Sequence, residues 1–115
     1  MALAKSKGSI TPLTASGQSP EVTLAASYRQ SAFIRNINGT GSITAAATVR
    51  VQVRPQASVV WYELASFLFA TTASLTETRV VPLPDDATGV RIDYTVPTGG
   101  TGHSVDAEFG QITAY

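Results

Sequence analysis

Three observations predict an all-β fold, a single antiparallel β-sandwich or jelly roll with an extended N-terminal arm. From Glu21 onward apolar residues recur with a period of two, as on a half-buried strand. The alternating runs are short and are separated by clusters of Gly, Pro, Asn, Asp, Ser and Thr at near-regular intervals. β-Branched and aromatic residues gather in the runs, where a pleated surface accommodates them best.

The first segment, "MALAKSKGSITPLTASGQSP", is rich in Gly, Ser, Thr and Pro and lacks alternation. It is expected to be a flexible arm over residues 1–19, with the sandwich domain over 20–115. It also carries no apolar run of signal-peptide length, so secretion by that route is not expected. "EVTLAAS" sets Val22, Leu24 and Ala26 against Glu21, Thr23 and Ala25. "RQSAFIRNI" places Phe33, Arg35 and Ile37 on one side and Ala32, Ile34 and Asn36 on the other. In "VRVQVRP", Val49, Val51 and Val53 oppose Arg50, Gln52 and Arg54, and Pro55 ends the run by removing a ladder donor.

"SVVWYELASFLF" is less regular. Its β-branched and aromatic content favours a strand over a helix from Tyr62 to Ala70, with Trp61 turned into the core. "LTETRVVPL" alternates up to Pro82, a strand end or edge, and "PDDATG" is a turn. "VRIDYTV" directs Val90, Ile92, Tyr94 and Val96 inward. "PTGGTGHS" is a glycine-rich loop, and "SVDAEFGQITAY" buries Val105, Ala107 and Phe109, with Gly110 a candidate bulge.

Composition narrows the function classes. A chain of 115 residues is one domain with one core, and a 43% hydrophobic content is enough to build it without a disulfide. The absence of cysteine removes thiol catalysis and zinc-thiolate sites. Eight basic residues balance eight acidic ones, so no net field draws the chain to nucleic acid or an anionic membrane. Only 14% of residues are charged, and a surface poor in charge favours association.

Motifs that carry chemistry are weak. Asn38-Gly39-Thr40 matches a glycosylation sequon, but Asn-Gly is also the strongest hairpin signal, and the turn is the preferred reading. His103, the only histidine, lies in the glycine-rich loop with no nucleophile converging on it, and reads as a solvated loop residue. Asp85 and Asp86 have too few oxygen partners nearby for calcium. Asp93, Asp106 and Glu108 form a carboxylate set that Arg79 and Arg91 are placed to neutralise across strands. Trp61 with Tyr62 offers a sugar-stacking platform as the alternative to burial. An enzyme, a metal or cofactor, and a small-molecule substrate are not expected.

The succession "INGTGSITAAATVRVQVRP", "WYELASF" and "TRVVPLPDDATGVRIDYTVPTGGTGHSVDAEFG" resembles small tailed-phage virion proteins of the capsid decoration or cement type. In that pattern a Gly-Thr loop leads into an alternating strand, and an Arg-x-x-Tyr strand, here Arg91 to Tyr94, precedes a second Gly-Thr loop. The resemblance implies a virion protein made in the host cytoplasm, a homotrimer bound to the major capsid protein, whose arm grips the shell. Leu3, Ile10 and Leu13 would then supply apolar contacts, and Lys5 and Lys7 charged ones. A tail-associated or host-binding virion module and a carbohydrate-binding sandwich module are the alternatives.

Overall fold

The computed structural model describes residues 4–24 and 29–114. It is all-β, a sandwich of two antiparallel sheets. The strands in chain order are β1 (Ala4–Leu13), β2 (Gly17–Gln18), β3 (Val22–Thr23), β4 (Arg29–Ile37), β5 (Thr48–Pro55), β6 (Tyr62–Leu68), β7 (Thr76–Leu83), β8 (Ala87–Thr95) and β9 (Ser104–Ala114). The front sheet has the order β1-β9-β4-β7 and the back sheet β2-β8-β5-β6, with β3 also pairing β8. If β2 and β3 are taken as one strand interrupted at residues 19–21, the chain changes sheet at every connection except the β5–β6 hairpin. That is the winding of an eight-stranded jelly roll.

The core follows the period-two pattern. Val49, Val51 and Val53 of β5 meet Tyr94, Ile92 and Val90 of β8 in register, and all six are buried. On the facing sheet Ala32 and Ile34 pair with Phe109 and Ala107, and these are buried too. Gly110 stays in register opposite Ser31, so it is not a bulge. The register shifts involving this strand lie elsewhere in its pairing with β1, between Ala4 and Lys5 and between Ile10 and Leu13.

The N-terminal arm is corrected. Residues 4–13 form a ten-residue edge strand whose backbone pairs with β9 from Lys5 opposite Ile112 to Leu13 opposite Val105. Residues 17–18 pair with β8, and the Ser19 side chain is buried and accepts a 2.9 Å bond from the Ile92 N–H. Long-range pairing to β9 overrides the local linker composition, because an unpaired β9 would expose a full row of backbone groups. The strand expected across residues 21–27 is reduced to Val22–Thr23 with Leu24 buried behind it, and Ala26 lies outside the described residues.

Trp61 is also corrected. Between Val51 and Gln52 the β5–β6 register shifts, so that Ala65 faces Val51 while Glu63 faces Gln52. The bulge at Leu64 reverses the parity of everything before it. Trp61 is thereby turned to the outer face beside Arg54, half-buried instead of in the core. The Arg54 and Arg91 guanidiniums lie 4.9 and 4.2 Å from its ring centroid. Trp61→Ala is therefore expected to cost less than about 2 kcal/mol, the scale of two exposed cation–π contacts and a partly buried ring. A core tryptophan would cost about 3 to 5 kcal/mol. Thermal unfolding of the variant separates the two values.

Two buried groups among the described residues are poorly served, the Asn36 side-chain carbonyl and the Tyr94 hydroxyl. The Tyr94 hydroxyl finds no hydrogen-bond partner among the described residues, and burial pushes its pKa up. A free tyrosine ionises near pH 10, so the unfolded chain releases this proton before the folded one does. The residue's contribution to stability is intact below about pH 10 and is lost as pH rises beyond it. Tyr94→Phe removes an unpaired buried polar group and is expected to leave neutral-pH stability unchanged or raise it by about 1 kcal/mol. It should also move alkaline unfolding to higher pH, as read by denaturation midpoints across pH 8 to 12.

Candidate functional site

The surfaces available for function are the two ends of the sandwich and the outer faces of its sheets. At one end the connections 14–16, 38–47, 69–75 and 96–103 are knitted together by hydrogen bonds. Thr40 and Thr101 exchange backbone bonds of 2.9 Å, Ser74 donates to Gly39 at 2.8 Å, Thr98 and Ala45 are bridged, and the Val96 N–H reaches the Ser16 hydroxyl at 2.9 Å. Asn38 sits at the centre, only 2% exposed. Its amide donates to the Ala70 and Thr72 carbonyls, both at 2.9 Å, and its carbonyl accepts from Asn36 at 3.0 Å.

His103 belongs to the same network and is 6% exposed. Its Nδ1 accepts the Gly39 N–H at 2.9 Å, which leaves Nε2 to donate to the Gly99 carbonyl at 2.8 Å. It is a clamp between two loops and not a solvated loop residue. Asn38-Gly39 is likewise no hairpin turn, because β4 and β5 lie in different sheets and neither residue has positive φ. Nor is Asn38 open to glycosylation, since both its amide hydrogens are engaged inside the protein. Gly39 is required by close approach, for a Cβ there would lie 1.8 Å from the Thr101 carbonyl oxygen.

At the opposite end Asp85 and Asp86 occupy a turn closed by the Ala87 N–H to Pro84 carbonyl bond. Among the described residues no cluster of three potential metal ligands occurs. The same end carries the β5–β6 connection, where Val59 is 88% and Val60 51% exposed. Tyr62 and Leu68 of β6 are exposed as well, and β6 is the free edge of the back sheet.

The carboxylates read together from sequence are divided by the fold. Asp93 lies on the back sheet within 4.0 Å of Arg50, whereas Asp106 and Glu108 lie on the front sheet. Arg35, not Arg79 or Arg91, neutralises Asp106, through a two-pronged contact of 2.6 and 3.1 Å. The hydrogen bond and the charge of Asp106 raise the Arg35 pKa above its usual value. Arg79 instead contacts Glu77 on its own strand at 3.5 Å, and Arg91 is held by Gln52 at 2.7 Å.

The arm residues singled out for partner binding are placed differently from expectation. Leu3 lies outside the described residues. Lys5 and Lys7 take register positions in β1 opposite Ile112 and Gly110. Ile10 is 5% exposed and part of the core, and Leu13 packs against it, so neither apolar side chain is available to a shell. Sequence reading missed Phe33 and Val80, whose exposure on the front sheet appears only when β4 and β7 are paired.

No protein-family model matches the chain, and no curated protein matches it. Among solved structures it is similar to a Bacillus endospore appendage protein, described as forming a novel family of disulfide-linked pili. That match has a TM-score of 0.48 and 15% identity, over 98% of this chain and 89% of that one. A family 16 carbohydrate-binding module gives 0.45 and 13%, over 84% and 70% of the two chains. A carbohydrate-binding module from Cellvibrio mixtus lichenase 5A, in complex with cellotriose, gives 0.46 and 11%, over 97% and 90%. These likenesses concern the fold alone.

Proposed function

We propose that this β-sandwich module is a non-enzymatic structural protein that works by associating with other protein subunits, as a decoration or cement protein on the outer surface of a tailed-phage capsid. The major capsid protein is its partner, and the protein itself is a cyclic homotrimer. One observation carries the reading. Val59, Val60 and Tyr62 are exposed apolar residues grouped at one end of the sandwich, where the free edge strand β6 begins, in a chain with no net charge. Contiguous apolar exposure of this kind marks association surfaces, and an uncovered edge strand is a liability that a partner removes. The contacts come from this surface and not from an N-terminal arm, which is built into the front sheet.

Co-sedimentation with undecorated capsids tests the proposal. Wild-type protein is expected to saturate the shells. Val59→Asp combined with Val60→Asp should lower occupancy at least about tenfold, equivalent to about 1.4 kcal/mol, with an unchanged melting temperature. Absence of wild-type protein from the shell pellet, with binding to host cells instead, would replace this reading by the tail-associated or host-binding one.

A further inference from the structure

We infer that the free edge of strand β7 pairs with the same edge of a second copy of this chain, antiparallel, about a two-fold axis at Thr78. The inference goes beyond the assembly reading and uses a different surface from Val59 and Val60. A two-fold contact is isologous and cannot close a three-membered ring, so it joins copies that belong to different rings.

The edges of the two sheets are not equally open. β1 carries Lys5, Lys7 and Pro12 and has two register shifts against β9. β6 is bulged at Leu64, and β2 and β3 are two residues long each. These are devices by which edge strands avoid pairing with other chains. β7 instead keeps register with β4 without a shift, from Gln30 opposite Leu83 to Ile37 opposite Thr76. Among the described residues no strand lies on its other side.

Two observations fix which backbone groups point off this edge. Where the same register continues, Asn38 faces Leu75, and the Asn38 N–H donates to the Leu75 carbonyl at 2.9 Å. Bonded and unbonded pairs alternate along an antiparallel ladder. Leu75, Glu77, Arg79 and Val81 therefore turn their backbone groups toward β4, and Thr76, Thr78 and Val80 turn theirs outward. Pro82 falls in the outward set, where a missing N–H costs no bond to β4.

Charge then selects the partner and the register. About an axis at Thr78 the two copies set Thr78 against Thr78, Thr76 against Val80, and Glu77 against Arg79 twice over. Moving the axis one residue either way sets two Glu77 carboxylates or two Arg79 guanidiniums directly opposite, which is destabilising. Arg79 is within reach of a second copy: its side chain is 39% exposed, and its Nη1 donates to the Thr78 carbonyl at 2.8 Å, beside the edge. That carbonyl keeps a second lone pair for the pairing. Pro82 would meet Ser74, where a φ of 60° has already ended the strand. The paired segment is thus 76–80 in each copy, with about six backbone bonds. On the outer face Val80 and the neighbouring Phe33, both exposed, add apolar contact to the new row. So short a segment buries less than the roughly 1,000 Å² of a stable interface. The contact is weak in free solution and gains strength where copies are held side by side.

Sedimentation equilibrium of the full chain from about 10 μM to about 1 mM, with amide exchange followed by NMR, tests the inference. The weight-average mass is expected to stay level at low micromolar concentration and to rise by about half or more at the top of the range, as for a Kd of about 1 mM or tighter. Over the same range the Thr76, Thr78 and Val80 amides should gain protection. Thr78→Pro withdraws the central donor and should hold the mass at its starting value. Arg79→Glu and Glu77→Arg each bring like charges together and should do the same, with melting curves that show the variants folded. An equimolar mixture of the last two sets opposite charges against each other again and should recover the association. The Val59→Asp, Val60→Asp double variant should behave as wild type here, whatever its occupancy on capsids. A level mass up to about 1 mM, a rise that survives both Thr78→Pro and Arg79→Glu, or protection gained at β1 or β6 in place of β7 overturns the inference.

Discussion

Removing residues 1–13 is expected to unfold the domain and not merely to shorten it. The deletion takes away strand β1 along the whole of its pairing with β9, removes Ile10 from the core and uncovers Phe109, Ala107 and Val105 at a new sheet edge. Burial of the isoleucine alone is worth about 1.5 to 3 kcal/mol. Each ladder bond adds about 1 kcal/mol, against a total stability of about 5 to 15 kcal/mol for a domain of this kind. The truncated chain should show no cooperative thermal transition, or one lowered by at least about 15 °C. Ile10→Ala is a milder check, with an expected loss of about 2 to 4 kcal/mol. A freely moving arm would give unchanged melting in both cases.

Asn38→Ala is expected to cost about 2 to 4 kcal/mol. The substitution leaves the Ala70 and Thr72 carbonyls and the Asn36 amide without their partner in a part-buried setting, and each stranded group carries a penalty of about 1 to 3 kcal/mol. Water at the loop ends relieves part of that sum. Asn38→Asp should be worse than Asn38→Ala despite its similar shape, because it turns a carboxylate toward two carbonyl oxygens. Denaturant midpoints rank the three proteins. Equal midpoints would show that the loop end is held together without this residue.

The parts of the fold legible in the sequence are those whose signal is local. Val49, Val51 and Val53, then Val90, Ile92 and Tyr94, then Val105, Ala107 and Phe109 alternate strictly, and each set faces the core. β1 was hidden because Gly8, Pro12 and its serines and threonines resemble a linker, and its strand character comes from β9, about a hundred residues away. Trp61 misled through a single bulge, since one extra residue at Leu64 exchanges the two faces of the strand before it. Asn38 and His103 drew a turn and a solvated loop because their partners lie 32, 34 and 64 residues away, beyond the reach of any short motif. The exposure of Phe33 is illegible for the same reason: it reads as half of an ordinary strand until β7 and β9 are paired on either side of it.

The central claim is that this module functions by association, and the solution mass of the purified protein tests it most directly. Light scattering across a micromolar concentration series is expected to give three times the 12.0 kDa chain mass, and the Val59→Asp, Val60→Asp double variant should give the same trimer. A mass of 12.0 kDa at every concentration would contradict the account.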